Sequence, residues 1–222
     1  MFFRTPFLLP LLYPSLTWRI PTDKKIIYLT FDDGPVPGPT EFVLDTLKKF
    51  EARATFFCIG DNVAKHPQLF KRIVADGHEI GNHTFNHIKG WAHSTSYYLE
   101  NIKQCDEQLI VSGYSLNKQQ ILFRPPYGRI TLKQIKVLRD YKIVMWDVLT
   151  SDYDKHLSSE KCLRGSIAAT RPGSVVVFHD SLKAERNMCY VLPRYIEHFR
   201  KEGFTFDVLP QPLIPKSLIS KP

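Results

Sequence analysis

A chain of 222 residues suits one domain of α/β-barrel size, or two small ones. Its 43% apolar and 13% aromatic content supports a large core and excludes a disordered chain. The net charge of +8 favours anionic partners, but the Lys and Arg residues are scattered and no zinc-finger spacing or basic heptad region occurs, so nucleic-acid binding is not expected.

In chain order, residues 1–25 read as an apolar N-terminal arm. Arg4 is followed by Phe7-Leu8-Leu9-Pro10-Leu11-Leu12-Tyr13-Pro14, a run too short to span a bilayer and broken by two prolines. No small-x-small cleavage site follows it. The expectation is an arm that packs on the domain or touches a membrane surface, in preference to a cleaved signal. A cytoplasmic or membrane-peripheral location is accordingly expected over secretion.

From residue 26 onward, short apolar runs alternate with amphipathic stretches. Strands are predicted at Ile26–Phe31, Ala54–Ile59, His78–Gly81, Ile121–Phe123, Ile143–Trp146, Val175–Phe178 and Phe204–Val208. Helices are predicted at Thr40–Phe50, capped by Thr40, at Pro67–Ala75, with Pro in its first turn, and at Ser94–Val111, capped by Ser94. Further helices fit Leu132–Asp140, Ser159–Ala168 and Val191–Lys201. Strand followed by helix, repeated, argues a mostly parallel α/β sheet over 26–209, doubly wound or closed into a barrel. An irregular tail, 210–222, ends the chain. The four cysteines, Cys58, Cys105, Cys162 and Cys189, form no CxxC pair and read as buried free thiols.

Polar clusters close several predicted strands, which is where catalytic groups sit in parallel α/β folds. Asp32-Asp33-Gly34-Pro35 follows the first strand. In extended chain the two carboxylates point opposite ways, so each has its own task; the bland alternative is a turn with Asp as hydrogen-bond acceptor. His83 and His87 follow the third strand, four apart and on one face if the segment is helical. With one Asp they make two nitrogen ligands and one oxygen ligand, a set that leaves open positions on a catalytic metal. Arg124-Pro125-Pro126-Tyr127-Gly128 is a stiff turn that holds a guanidinium and backbone N–H groups in place. Asp152-Tyr153 and Phe178-His179-Asp180 close two more strands.

These clusters, in this order, resemble the polysaccharide deacetylases, the carbohydrate esterases of family four. The resemblance implies a distorted (β/α) barrel of about seven parallel strands in a single domain. It also implies a divalent metal, most often zinc, and removal of N-acetyl or O-acetyl groups from a glycan such as chitin, peptidoglycan or acetylated xylan; cobalt and nickel suit the same ligands. By the same resemblance Asp32 is the general base, and Asp33, His83 and His87 are the metal ligands. Arg124 orients the base, and the Tyr127 backbone N–H faces the developing oxyanion. His179 is the general acid, paired with Asp152. The fourth motif of the family usually reads Asp-x-x-Asp-Trp; here Leu149 replaces its first Asp and Tyr153 its Trp, which alters the aromatic wall of the sugar pocket. Val177 stands where Leu is usual, and Arg53, at an often basic position, is expected to touch Asp32.

Three rival readings suit some of the same residues: a metal-dependent amide hydrolase of a small non-sugar molecule, a glycan- or membrane-binding protein without turnover, and a non-haem iron oxygenase. The second carboxylate and the distal histidine fit hydrolysis better than oxygen chemistry.

Overall fold

The computed structural model describes residues 3–116 and 121–210. The tail predicted as irregular lies outside the described residues from position 211 onward.

Strand β1, Ile26–Asp32, is made of apolar and β-branched residues and is buried along nearly its whole length, as a central parallel strand must be. It pairs in parallel with β2, Thr55–Cys58, on one side and with β7, Val175–His179, on the other. Beyond β2 come β3, Glu79–Asn82, β4, Ile121–Phe123, and β5, Tyr141–Ile143; beyond β7 comes β6, Val148–Leu149. The order is β5-β4-β3-β2-β1-β7-β6, with every pairing parallel. A last short strand, β8, Thr205–Phe206, pairs with the start of β1. The architecture is the expected curled, barrel-like α/β sheet in one domain, open between β5 and β6.

The described N-terminal arm spans that opening. Thr17 forms a parallel bridge to Val144 beside β5, and Arg4 an antiparallel bridge to Val148 in β6. Leu16 and Trp18 are buried with Phe123, Ile143 and Met145 in a core cluster of their own. These contacts pack the arm on the domain. Its short helix α1, Leu8–Leu12, buries none of its residues.

Six helices follow sequence patterns closely: α2 at Pro39–Lys49, α4 at Pro67–Ala75, α5 at Thr95–Val111, α6 at Leu132–Val137, α7 at Ser159–Ala169 and α8 at Glu185–Lys201. Ser94 caps α5 through Oγ, as expected. Thr40 does not cap α2: the N-cap is Gly38, and the Thr40 hydroxyl instead ties Val36 to Asp180. Helix α8 starts six residues earlier than its apolar pattern, at Glu185 rather than Val191, because Asn187 and Met188 already face the core. The helix α3, Gly60–Lys65, carries no long apolar periodicity and was not expected. The predicted strand Ile143–Trp146 straddles the end of β5 and the crossing to β6, since an apolar run cannot say where pairing stops. The four cysteines are free thiols, three of them buried. Among the described residues no helix is long and apolar enough to cross a membrane.

Candidate active site

Parallel pairing places the ends of β1, β2, β3, β4 and β7 side by side, and the polar clusters lie there. Asp32 is the last residue of β1 and sits in register with His179, the last residue of β7. Asp33 has left the strand, with φ of 85°, so the expected opposite orientation does not apply. Its carboxylate turns into the same cleft as Asp32, 3.3 Å from His87 Nε2 and 3.9 Å from His83 Nε2.

The loop that follows β3 carries both histidines. It is irregular rather than helical: Thr84 and His87 adopt φ of 63° and 54°. Side-chain bonds hold this shape. Asn82 Oδ1 accepts the Thr84 N–H at 2.8 Å, and Asn101 Oδ1 accepts the N–H groups of Phe85 and Asn86, each at 3.0 Å. Asn82 is itself held by Asp106 Oδ1 at 2.7 Å. Gly60 lets α3 approach from below, for a Cβ there would lie 2.6 Å from the Phe85 ring.

Asp33, His83 and His87 each present one ligand atom, and these atoms lie within 4.8 Å of one another. His83 donates from Nδ1 to the Arg124 carbonyl oxygen at 2.8 Å, which leaves its Nε2 lone pair for the cluster. Burial, reinforced at His83 by the neighbouring His87, lowers the pKa of both rings, so both are neutral and able to ligate. A divalent cation fits this donor set of two imidazoles and one carboxylate.

Two further groups flank the cluster. Arg124 is fully buried over the Phe57 ring and donates from Nη1 to Asp32 Oδ1 at 2.6 Å. Its remaining N–H groups bond to Thr30 Oγ1 and to the carbonyls of Val144 and Met145, so the fork cannot rotate. Burial pulls its pKa down, and Asp32 opposes that shift. His179 Nδ1 lies 2.8 Å from Asp152 Oδ1. Burial favours a neutral ring at His179, but Asp152, with Asp33 and Asp32 behind it, outweighs burial and pushes the pKa up to about 9. Tyr153 meets the His179 ring edge-on at 5.0 Å, and Tyr127 lies 4.7 Å from the His87 ring. Tyr127 itself sits in a tight turn with φ of 60°.

Asp32, Asp33, the three histidines and the two tyrosines line a cavity of about 390 Å³, together with Leu149, Trp146, Val177, Lys89, Arg129 and Lys183. Every predicted site residue is thus at or directly behind this cavity, except Arg53. Arg53 pairs with Asp207 at 2.8 Å and does not reach Asp32. It precedes β2 by two residues, whereas Asp32 is in register with Phe57 near that strand's other end.

Sequence reasoning missed the supports. Asp180 Oδ1 accepts the Gly34 N–H at 3.0 Å and its Oδ2 accepts the Thr40 hydroxyl at 2.6 Å, which pins the turn that carries Asp33. Burial pushes the Asp180 pKa up to about 8. Asn62 holds the Asp33 carbonyl at 2.7 Å. Asp180, next to His179, was visible as part of a polar cluster; Asn62, Asn82, Asn101 and Asp106 carried no signal in the sequence.

Comparison with known proteins agrees with this geometry. The family model described as polysaccharide deacetylase matches residues 19–146. A peptidoglycan-N-acetylglucosamine deacetylase of Bacillus cereus is 34% identical over 194 residues, covering 86% of this chain and 89% of the relative. A chitooligosaccharide deacetylase of Azorhizobium caulinodans is 32% identical over 167 residues, covering 73% of this chain and 77% of the relative. A crystal structure of a peptidoglycan N-acetylglucosamine deacetylase bound to 4-naphthalen-1-yl-N-oxidanyl-benzamide superimposes with a TM-score of 0.83 at 32% identity, over 93% of this chain and 95% of that one. The chain therefore belongs to the polysaccharide deacetylase family, hydrolases acting on carbon–nitrogen bonds other than peptide bonds.

Proposed function

We propose that this protein is a metal-dependent deacetylase that hydrolyses acetamido groups on a glycan of peptidoglycan type. The observation that carries the reading is the convergence of Asp33, His83 and His87 between a guanidinium-held carboxylate and a carboxylate-held imidazole. Asp33, His83 and His87 would hold the cation, with Zn²⁺ the first choice and Co²⁺ or Ni²⁺ the alternatives. When bound, the cation supplies Lewis acidity, which polarises the amide carbonyl and acidifies water.

Asp32 is the general base that takes the proton of the attacking water, and Arg124 fixes its orientation. The Tyr127 backbone N–H faces the oxygen on which negative charge develops. An amine leaves poorly unless protonated, and His179, with its Asp152 partner, delivers that proton. Tyr153 and Leu149 form part of the wall against which the sugar lies.

Lys89, Arg129 and Lys183 line the same cavity, and none makes an ion pair among the described residues. A rim of uncompensated positive charge favours a glycan bearing carboxylates over a neutral one. Acetate release from peptidoglycan fragments and chito-oligosaccharides, with and without chelator, tests the reading. Release from the anionic substrate at higher kcat/KM, abolished by chelator, is expected. Turnover of cyclic imides or ureides with none of the glycans would overturn it.

A further inference from the structure

A second cavity, of about 350 Å³, lies against the catalytic one. Tyr127, Arg129, Trp146 and Leu149 line both. Its far side is built by the N-terminal arm, including Leu9, Tyr13 and Trp18, which precede the residues matched by the family model. The polar groups of the arm are engaged elsewhere: Arg4 donates to the Ala169 carbonyl, Thr5 to the Trp146 carbonyl at 2.6 Å, and Trp18 Nε1 to the Tyr13 carbonyl at 3.1 Å. What faces the cavity is therefore chiefly hydrocarbon and aromatic ring. Gly128 helps to form it, since a Cβ there would lie 2.7 Å from the Trp146 ring.

Two features give the occupant. The cavity adjoins the catalytic one, with four lining residues in common, so a substituent of the reacting sugar is within reach of it. The shared wall includes Leu149, an apolar side chain where the family motif carries a carboxylate, beside Tyr127 and Trp146, and Arg129 is its one charged side chain. A dry apolar cavity of roughly 150 Å³ accepts a benzene ring, so this one has room for a hydrocarbon chain of about eight to twelve carbons. Close in the chain to Leu9, which lines the cavity, the arm exposes Phe7, Leu11 and Leu12, at 79%, 71% and 68%, an apolar surface for any longer tail.

We infer that this cavity is a subsite for a hydrocarbon tail borne by the acetylated sugar, on its aglycone or in place of the acetyl methyl. The inference rests on the deacetylase reading above, and the test separates the two. Three substrates are compared with the full chain: methyl tri-N-acetyl-chitotrioside, its octyl glycoside below the micellar concentration, and the methyl glycoside carrying one N-octanoyl group. Tryptophan fluorescence is read alongside turnover, because Trp18, Trp91 and Trp146 line the cavity.

Each buried methylene favours binding by about fourfold, offset by ordering of the chain, so a gain in kcat/KM of at least ~10-fold is expected for one octyl substrate over the methyl glycoside. Which octyl substrate gains tells aglycone from acyl group. Leu9→Trp, which fills the cavity from a partly exposed helix position, should remove that gain and leave the methyl glycoside within about twofold. Equal rates for all three substrates, or a gain that Leu9→Trp leaves intact, would overturn the subsite. If no glycan is turned over, the deacetylase reading fails; fluorescence titration with octyl glucoside then still decides the cavity, saturable quenching lost in Leu9→Trp supporting it and no quenching refuting it.

Discussion

Asp152 holds His179 with both carboxylate oxygens: Oδ1 lies 2.8 Å from the ring Nδ1, and Oδ2 accepts the backbone N–H of the same residue at 2.8 Å. The ring is fixed in one tautomer and orientation, with Nε2 left to exchange a proton. Asp152→Asn keeps the size of the side chain and removes its charge. The alkaline limb of the kcat profile, set by a ring whose pKa is raised to about 9, is expected to move towards the ordinary histidine value of 6.5. The stability effect has the same sign. A group that holds its proton more tightly when folded contributes stability that is full below about pH 6.5 and lost as pH rises through about 9. Calorimetry should show that slope in the native chain and a flatter one in Asp152→Asn.

Asp32 and His83 separate chemistry from metal retention. Asp32→Asn leaves the cluster of Asp33, His83 and His87 intact, so metal content should be unchanged while kcat falls by about 10²–10⁴-fold. His83→Ala deletes a ligand atom and should lose both metal and turnover. Elemental analysis of the two variants beside kcat checks the pair; full-rate Asp32→Asn would remove it from the role of base.

Gly34 and Asp180 set the position of Asp33. A Cβ on Gly34 would fall 1.9 Å from Asp180 Oδ2, so Gly34→Ala must displace that carboxylate and break its bonds to the turn. The expected result is a loss of stability of about 1–3 kcal/mol and weakened metal retention. Denaturant titration and metal analysis would measure both, and an unchanged affinity would show that the turn does not depend on Asp180.

Trp18 tests whether the arm is part of the domain. It is 8% exposed and packs with Leu16, Met145 and Ile143 beside the edge of the sheet. Trp18→Ala should cost about 3–5 kcal/mol by analogy with other buried aromatic truncations. A change below about 1 kcal/mol in calorimetry would mean that the arm is dispensable to the fold.

The alternation of apolar strands with amphipathic helices was legible in the sequence because burial imposes a period of 2 or 3.6 on the chain whatever the distant residues are. So were Asp32, His83, His87, Arg124 and His179, since parallel topology concentrates polar residues at strand ends. Tertiary structure alone decided the rest. The left-handed backbone at Asp33, which puts both carboxylates in one cleft, is held through Asp180, remote in the chain from that turn, which Thr40 in turn binds. The histidine loop is shaped by Asn82 and Asn101 rather than by helical spacing. Arg53 faces Asp207 because β2 runs parallel to β1 and so carries it to the end away from Asp32. The arm joins the two open edges of the sheet through backbone bridges, which depend on no side-chain identity and therefore leave no trace in a sequence pattern.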